Sequence, residues 1–250
     1  MKFKTSLVHG TLIRRYKRFL TDVLLDDGSE VIAHCTNTGT MLSCLEEGAE
    51  VWLTPVDDPK RKTHFTWEMI KIDGSWVGIN TSHPNALAFQ WLSEGLIPGL
   101  EGLTGLRREV KWGDSRFDLF GEERMGGSGA DKNALPADYP GQTRACFIEV
   151  KNVSLREGNM ALFPDAVTTR GRKHLNTLIR VKRAGMRAVM LYVVQRTDVA
   201  LFAPARTIDP DYAEALDEAI RRGIEVYVAQ AKVSPEGISF HRMLPYVSTQ

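Results

Sequence analysis

Between His9 and Thr81 the apolar positions come in short runs that alternate with polar ones: Thr11 to Arg14, Phe19 to Leu25, Val31 to His34, Glu50 to Thr54, Thr66 to Ile72 and Val77 to Asn80. Turn-forming clusters separate them at Asp26-Asp27-Gly28, Asn37-Thr38-Gly39, Glu47-Gly48, Asp57-Asp58-Pro59 and Asp73-Gly74. Runs of this kind predict β-strands, and five or six at this spacing predict a small antiparallel barrel. After His83-Pro84 the period changes. Asn85 to Leu92 predicts a short helix with Leu87, Ala88, Trp91 and Leu92 on one side, and Gly95, Pro98, Gly99 and Gly102 keep it from extending further.

Strands are then predicted at Leu106 to Lys111, Arg116 to Phe120 and Ala145 to Asn152. A helix from Ala166 to Ala184, the apolar strand Ala188 to Gln195, a helix from Tyr212 to Arg222 and strands at Ile224 to Gln230 and Ile238 to Arg242 complete the chain. Strands flanking long helices make this half α/β. The expected organisation is therefore mixed α/β, with a barrel over residues 1–82 and an α/β domain over 83–250, separable at a polar, proline-marked join. Gly121 to Arg144, rich in glycine and proline, is expected to be a surface excursion and the first point of proteolysis.

Composition narrows the options. A chain of 250 residues with 43% hydrophobic content needs neither disulfides nor a structural metal to build its core. Its 32 basic and 31 acidic residues leave a net charge of +1, so any surface for a polyanion must be a local patch. Cys35, Cys44 and Cys146 are odd in number and lack Cys-x-x-Cys spacing, which argues against a disulfide framework and a zinc knuckle. A zinc site would require His34, Cys35, Cys44 and His64 to converge; buried thiols and loop imidazoles are the plainer reading. Basic residues interrupt every apolar stretch at the N-terminus, and no run approaches the ~18 apolar residues of a membrane span, so a cytosolic protein without a membrane partner is expected.

The candidate chemistry begins at Phe147-Ile148-Glu149-Val150-Lys151. A strand's period of two puts Glu149 and Lys151 on one face beside Phe147, and Ile148 and Val150 on the other. A carboxylate and an ammonium on a mostly apolar strand cost several kcal/mol to desolvate without partners, so they are expected to line a cleft. Asp118 lies on the preceding strand, and pairing of the two would gather two carboxylates and a lysine. Two carboxylates are a typical anchorage for Mg²⁺ or Mn²⁺, and the lysine would steer water or neutralise charge on a phosphate. A solvated ion pair is the competing reading of Glu149 and Lys151.

The order of elements, with Asp118 on one strand and Glu149 and Lys151 on the next, resembles the PD-(D/E)xK nuclease superfamily. Gly113-Asp114-Ser115-Arg116-Phe117-Asp118, Ile148-Glu149-Val150-Lys151-Asn152-Val153 and the stretch from Phe163-Pro164-Asp165 to Arg170-Gly171-Arg172-Lys173-His174-Leu175 resemble the sugar fermentation stimulation protein family. Arg15-Tyr16-Lys17-Arg18-Phe19, His34-Cys35-Thr36-Asn37-Thr38-Gly39 and Lys60-Arg61-Lys62 do so too. The resemblance covers nearly the whole chain. It implies an OB-like barrel followed by a restriction-endonuclease-like domain, DNA binding and a regulatory role in sugar metabolism.

Several other residues carry a functional and a structural reading side by side. Glu109 is a further carboxylate or a cross-strand partner of Arg107 or Lys111, Arg116 a phosphate contact or half of a buried salt bridge, and Gln195 a site residue or a capped strand end. Asp114 reads as a turn residue. Arg170, Arg172, Lys173, Arg180, Lys182 and Arg183 meet no acidic residue inside their helix, and Arg170 and His174 share a face. With Asp165 as N-cap, that helix would aim its first turn at a phosphate. In the barrel, Arg14, Arg15, Lys17 and Arg18 surround Tyr16, which is expected to be exposed, and Lys60, Arg61 and Lys62 precede Phe65 and Trp67. The combined expectation is a metal-dependent nuclease acting on DNA, with RNA left open. The alternative is a non-catalytic DNA-binding regulator that keeps the fold. Nuclease-like folds often work as dimers, but no interface is legible.

Overall fold

A computed structural model describes residues 1–124 and 143–248. The chain opens with β1 (Val8–Tyr16), β2 (Leu20–Leu25), β3 (Glu30–His34), β4 (Glu50–Pro55), β5 (Phe65–Ile72) and β6 (Ser75–Gly78). Leu12, Val23, Ala33, Val51, Leu53, Trp67 and Ile70 alternate inward along these strands and form one buried cluster. The sheet runs β3-β2-β1-β4-β5-β6 and closes by pairing β3 with β5. That closing pair is parallel, through Ala33↔Phe65 and His34↔Thr66, so the barrel is not wholly antiparallel as expected. Closure removes the open edges that β3 and β5 would otherwise expose.

The second half comprises α1 (Pro84–Ser93), β7 (Leu103–Trp112), β8 (Ser115–Arg124), β9 (Thr143–Val153), β10 (Leu155–Glu157), β11 (Met160–Phe163), α2 (Thr169–Arg183), β12 (Arg187–Val194), β13 (Leu201–Pro204), α3 (Pro210–Arg221), β14 (Glu225–Ser234) and β15 (Gly237–Met243). Its main sheet has the order β15-β14-β12-β9-β8-β7, with β9, β12 and β14 parallel. Both faces of β12 are covered, which explains its unbroken apolar run. Ile148, Val150, Val189, Leu191 and Val193 pack toward α1, whereas Phe147, Ala188, Met190, Tyr192 and Val194 pack beneath α2 and α3.

The third sheet, β10-β11-β13, was not expected, because strands of three or four residues are too short to display a period. The expected insert also shrinks: Gly121–Arg124 belong to β8 and Thr143–Arg144 to β9, while residues 125–142 lie outside the described residues. Helix α2 starts three residues later than predicted. Its cap is Thr168, whose hydroxyl accepts the Gly171 N–H at 3.0 Å. Asp165 instead accepts the Thr40 N–H at 3.0 Å, tying α2's approach to the barrel.

The barrel and the main sheet meet across a seam that is part apolar and part polar. Trp52, Met69 and Trp76 of the barrel join the cluster around α1. Arg196, fully buried, donates to the carbonyls of Ser43 and Ser154 and pairs with both Asp198 oxygens at 2.7 Å. A buried guanidinium left without such partners would cost several kcal/mol. No described helix is long and apolar enough to cross a membrane.

Candidate functional site

The site lies where β8 and β9 part company. The ladder between them runs from Arg124↔Thr143 to Leu119↔Ile148 and then stops. Strand alternation breaks at the same point: Phe117 and Phe120 both enter the core beneath α2, while Leu119 enters the one beneath α1. Asp118 sits in the break. Its Oδ2 accepts the Val150 N–H at 2.8 Å, taking the place of a ladder carbonyl, and its Oδ1 accepts from Asn85 Nδ2 at 2.8 Å. Asn85 is free for this because it lies in the first turn of α1, just after Pro84.

On β9, Glu149 and Lys151 point to the α2 side with Phe147. Glu149 is 3% exposed. Lys151 Nζ donates to its Oε1 at 2.6 Å, and His174 Nδ1 from α2 contacts the same oxygen. Arg170 Nε donates to His174 Nε2 at 3.3 Å. An imidazole that accepts at Nε2 carries its proton on Nδ1, so His174 donates to Glu149. The 3.0 Å approach of Lys151 Nζ to His174 Nδ1 is then a contact between two donors that share one acceptor.

These surroundings drive the two carboxylates apart. Burial pushes the Asp118 carboxyl above its ordinary range, and the nearby charge of Glu149 adds to this against the Val150 N–H and Lys151. Burial pushes Glu149 the same way, but His174 and Lys151 outweigh it and hold Glu149 below the usual range. A cleft of about 310 Å³ opens beside them, lined by Ser115, Arg116, Glu149, Arg170, Lys173 and His174. A shallow groove along α2, about 390 Å³, shares Lys173 and Thr177 with it and continues to Arg180.

The donor set suits a hard divalent cation. The buried Glu149 raises the cost of ionising the half-buried Asp118, a +2 charge between them relieves it, and Mg²⁺ or Mn²⁺ completes its shell with water or phosphate oxygen. Among the described residues no group of three or more His, Cys, Asp or Glu stands ready to hold a metal, so protein ligands alone would not enclose the ion. His34, Cys35, Cys44 and His64 do not converge into such a group. Cys35 Sγ donates to the Asn37 carbonyl at 3.3 Å, and Cys44 is buried.

The other sequence candidates divide. Arg170, Lys173 and His174 line the cleft. Arg172 pairs with Asp211 of α3, and Arg180 reaches Asp114 at 3.2 Å, so neighbouring elements neutralise part of the charge of α2. Register places Glu109 across from Asp118, but Glu109 takes a left-handed φ of 56° and lies exposed, 3.7 Å from Arg116. Its partner is thus Arg116, not Arg107 or Lys111, and that pair is exposed rather than buried. Gln195 is fully buried at the barrel seam, donating to Asn152 Oδ1 at 2.8 Å, away from the cleft.

In the barrel, Arg15 is engaged internally, donating to the carbonyls of Arg18, Asn37 and Gly39. Arg14 pairs with Asp22 at 2.8 Å and lies over the ring of Tyr16, which is half-buried rather than exposed. Phe19 is 47% exposed, Phe65 half-buried and Trp67 buried. Lys17, Arg18, Lys60 and Lys62 make no salt bridge among the described residues, and Arg61 reaches Thr66 Oγ1 at 3.2 Å. Sequence reasoning missed Asn85, whose signal was an amide at the second position of a proline-led helix. It also placed His174 with the phosphate contacts, although four residues from Arg170 on an inward-leaning face was compatible with the carboxylate cluster.

Two family models match successive stretches of the chain. The family model described as the SfsA N-terminal OB domain matches residues 13–79, and the one described as the sugar fermentation stimulation protein RE domain matches residues 82–237. The sugar fermentation stimulation protein homolog of Paramagnetospirillum magneticum is 47% identical over 239 residues, spanning 95% of this chain and 94% of the relative. That of Rhodospirillum rubrum is 46% identical over 255 residues, spanning 99% and 100%. A solved structure of Pyrococcus furiosus SfsA in complex with Ca²⁺ superposes with a TM-score of 0.82 at 27% identity, over 99% of this chain and 98% of that one.

Proposed function

We propose, starting from the fact that this chain belongs to the sugar fermentation stimulation protein family, that it binds nucleic acid and hydrolyses its phosphodiester bonds with a divalent metal ion. The observation that carries this reading is the meeting of Asp118, Glu149 and Lys151 at the break between β8 and β9, beside a cleft walled by Arg170 and Lys173. A phosphate binder gains nothing from two carboxylates facing a polyanion. Asp118 and Glu149 would hold Mg²⁺ or Mn²⁺, and the Ca²⁺ of the Pyrococcus furiosus structure belongs to the same class of hard, oxygen-seeking cations. Such an ion supplies Lewis acidity and a nucleophilic water near neutral pH.

The chain's own residues do the rest. Arg170 and Lys173 bind the phosphate, and the groove along α2 carries its neighbours. Lys151 presents a compact ammonium to charge that develops on the phosphate oxygens. His174 holds Glu149 ionised, and Asn85 orients Asp118. The substrate expected is cytosolic DNA or RNA.

A second reading, a regulator that binds DNA without cutting it, is favoured by one observation. Both Asp118 oxygens and Glu149 Oε1 already have protein partners, so metal binding must compete with them. Incubation of the purified chain with Mn²⁺ and labelled single- or double-stranded DNA and RNA separates the two. The nuclease reading expects cleavage that falls by about 10² to 10³ in Lys151→Ala. Absence of cleavage on every substrate, with binding intact, would establish the regulator.

A further inference from the structure

A cleft of about 900 Å³ opens on the barrel. It lies between the β1–β2 turn, the outer face of β3 and the connection from β4 to β5, and a cavity of this size buries a ligand of several hundred daltons. Phe19 and Ile32 stand in its wall, each 47% exposed, on a barrel that buries Trp67 and Met69 completely. Lys17, Arg61 and Lys62 rim it, and neither lysine makes a salt bridge among the described residues. The floor is polar and fixed. Glu68, 4% exposed, accepts from Thr54 Oγ1 at 2.7 Å and from Asn80 Nδ2 at 3.0 Å, and contacts His83 Nε2 at 2.7 Å.

We infer that this cleft seats an unstacked base of a single-stranded nucleic acid, with Phe19 as stacking platform and Lys17 and Lys62 on the flanking phosphates. The inference rests on the nucleic-acid half of the reading above and needs none of its metal chemistry. A duplex keeps its bases stacked and paired and presents phosphates outward, so it meets the rim lysines but leaves Phe19 and Ile32 in water. A single strand satisfies both sets, because every base has a π-face to lay on an aromatic wall while its backbone runs along the cations. Glu68 lies beneath these contacts with its oxygens engaged by Thr54, Asn80 and His83. The geometry also links the cleft to the carboxylates. Asn80 in the floor precedes Asn85, the partner of Asp118, by five residues, a reach of at most about 18 Å for the chain. A strand held in the barrel thus arrives a few nucleotides from the break between β8 and β9.

The test is fluorescence anisotropy in EDTA with labelled oligo-dT, oligo-rU and a duplex of equal length. The wild-type chain should prefer a single strand. Phe19→Ala should weaken that binding about 5- to 150-fold, the loss of one base stack, and leave the duplex within about twofold. Phe19→Trp should restore it, which a merely misfolded variant could not do. The dT and rU arms identify the sugar. Equal losses on single strand and duplex, no loss at all, or a wild-type preference for duplex would overturn the inference. Failure to bind any nucleic acid would sink this inference and the binding half of the functional reading together. Retained oligo-dT or oligo-rU binding without cleavage under Mn²⁺ would sink the catalytic half alone.

Discussion

The start of the β9–β12 ladder and its middle both enclose charge, and they handle it in opposite ways. At the end where Arg187 faces Cys146, the guanidinium donates to Glu225 at 2.6 and 3.0 Å, to Glu123 at 2.8 Å and to the Gly99 carbonyl at 3.0 Å. The hydrogen bond to Glu225 raises Arg187 further above its ordinary value, and Arg187 overcomes the effect of burial to hold Glu225 below its own. Each charge there has an opposite one. Midway along the ladder Glu149, across from Met190, has Lys151 and His174, but Asp118 on the neighbouring β8 is hydrogen-bonded, among the described residues, only by the neutral Asn85 amide and the Val150 N–H, with Lys151 acting on it through space. The Arg187 cluster, closed on itself and away from the cleft, is structural, whereas a half-buried carboxylate left above its normal range beside an open cleft is suited to a cation from solution.

That contrast breaks most visibly at Arg187. Arg187→Ala leaves Glu225 and Glu123 without their cation. Breaking a buried pair costs about 3 to 5 kcal/mol, and the partial exposure of both glutamates argues for the lower end. Calorimetry should show Tm falling by about 6–12 °C, with nucleic-acid binding unchanged below the transition. A loss of binding without a loss of Tm would mean that this end, too, is functional.

The opposite sign is expected at Asp118. In EDTA near neutral pH, Asp118→Asn removes a desolvated charge, keeps an acceptor for Val150 N–H and can donate to Asn85 once that amide turns. Stability should rise by about 1 kcal/mol, or 2–4 °C in Tm. Because the folded-state pKa of Asp118 is raised, its ionisation penalty is fully present above that pKa and vanishes as pH falls below the unfolded value. The advantage of the variant should therefore shrink on acidification. Glu149, depressed when folded, acts the other way in both proteins: its contribution is present above its unfolded value and is lost as pH falls through the folded one. A variant less stable than wild type at neutral pH would show that Asp118 is a structural group.

The smallest effect concerns the cations that face the cleft. Arg170→Ala and Lys173→Ala should each reduce the slope of log K against log salt by about 0.7 to 0.9, one phosphate contact apiece, while Arg172→Ala, whose partner is Asp211, should change it less. Equal slopes in all three would place the phosphates elsewhere.

Legibility in the sequence scales with the length of the pattern. The apolar run of β12 and the alternation around Glu149 extend over enough residues to declare strand and face together. The β10-β11-β13 sheet was hidden because its strands are shorter than any period. Parallel closure of the barrel rests on two residue pairs, a contact of register that no local pattern encodes. Asp165 has the chemistry of an N-cap, but tertiary structure claimed its carboxylate for Thr40 and left Thr168 to cap the helix. Arg15 illustrates the same limit: a basic residue in a basic cluster reads as a phosphate contact until three backbone carbonyls are found around it.

The division of labour at the break between β8 and β9 is the claim on which the proposed chemistry depends. Titration calorimetry with Mn²⁺ on the wild-type chain, Asp118→Asn, Glu149→Gln and Lys151→Ala tests it directly. One ion should bind the wild-type chain. Either carboxylate variant should lose most of that affinity, and Lys151→Ala should keep it or bind more tightly, since a neighbouring cation has been removed. Loss of the ion in Lys151→Ala with retention in Asp118→Asn would contradict that division.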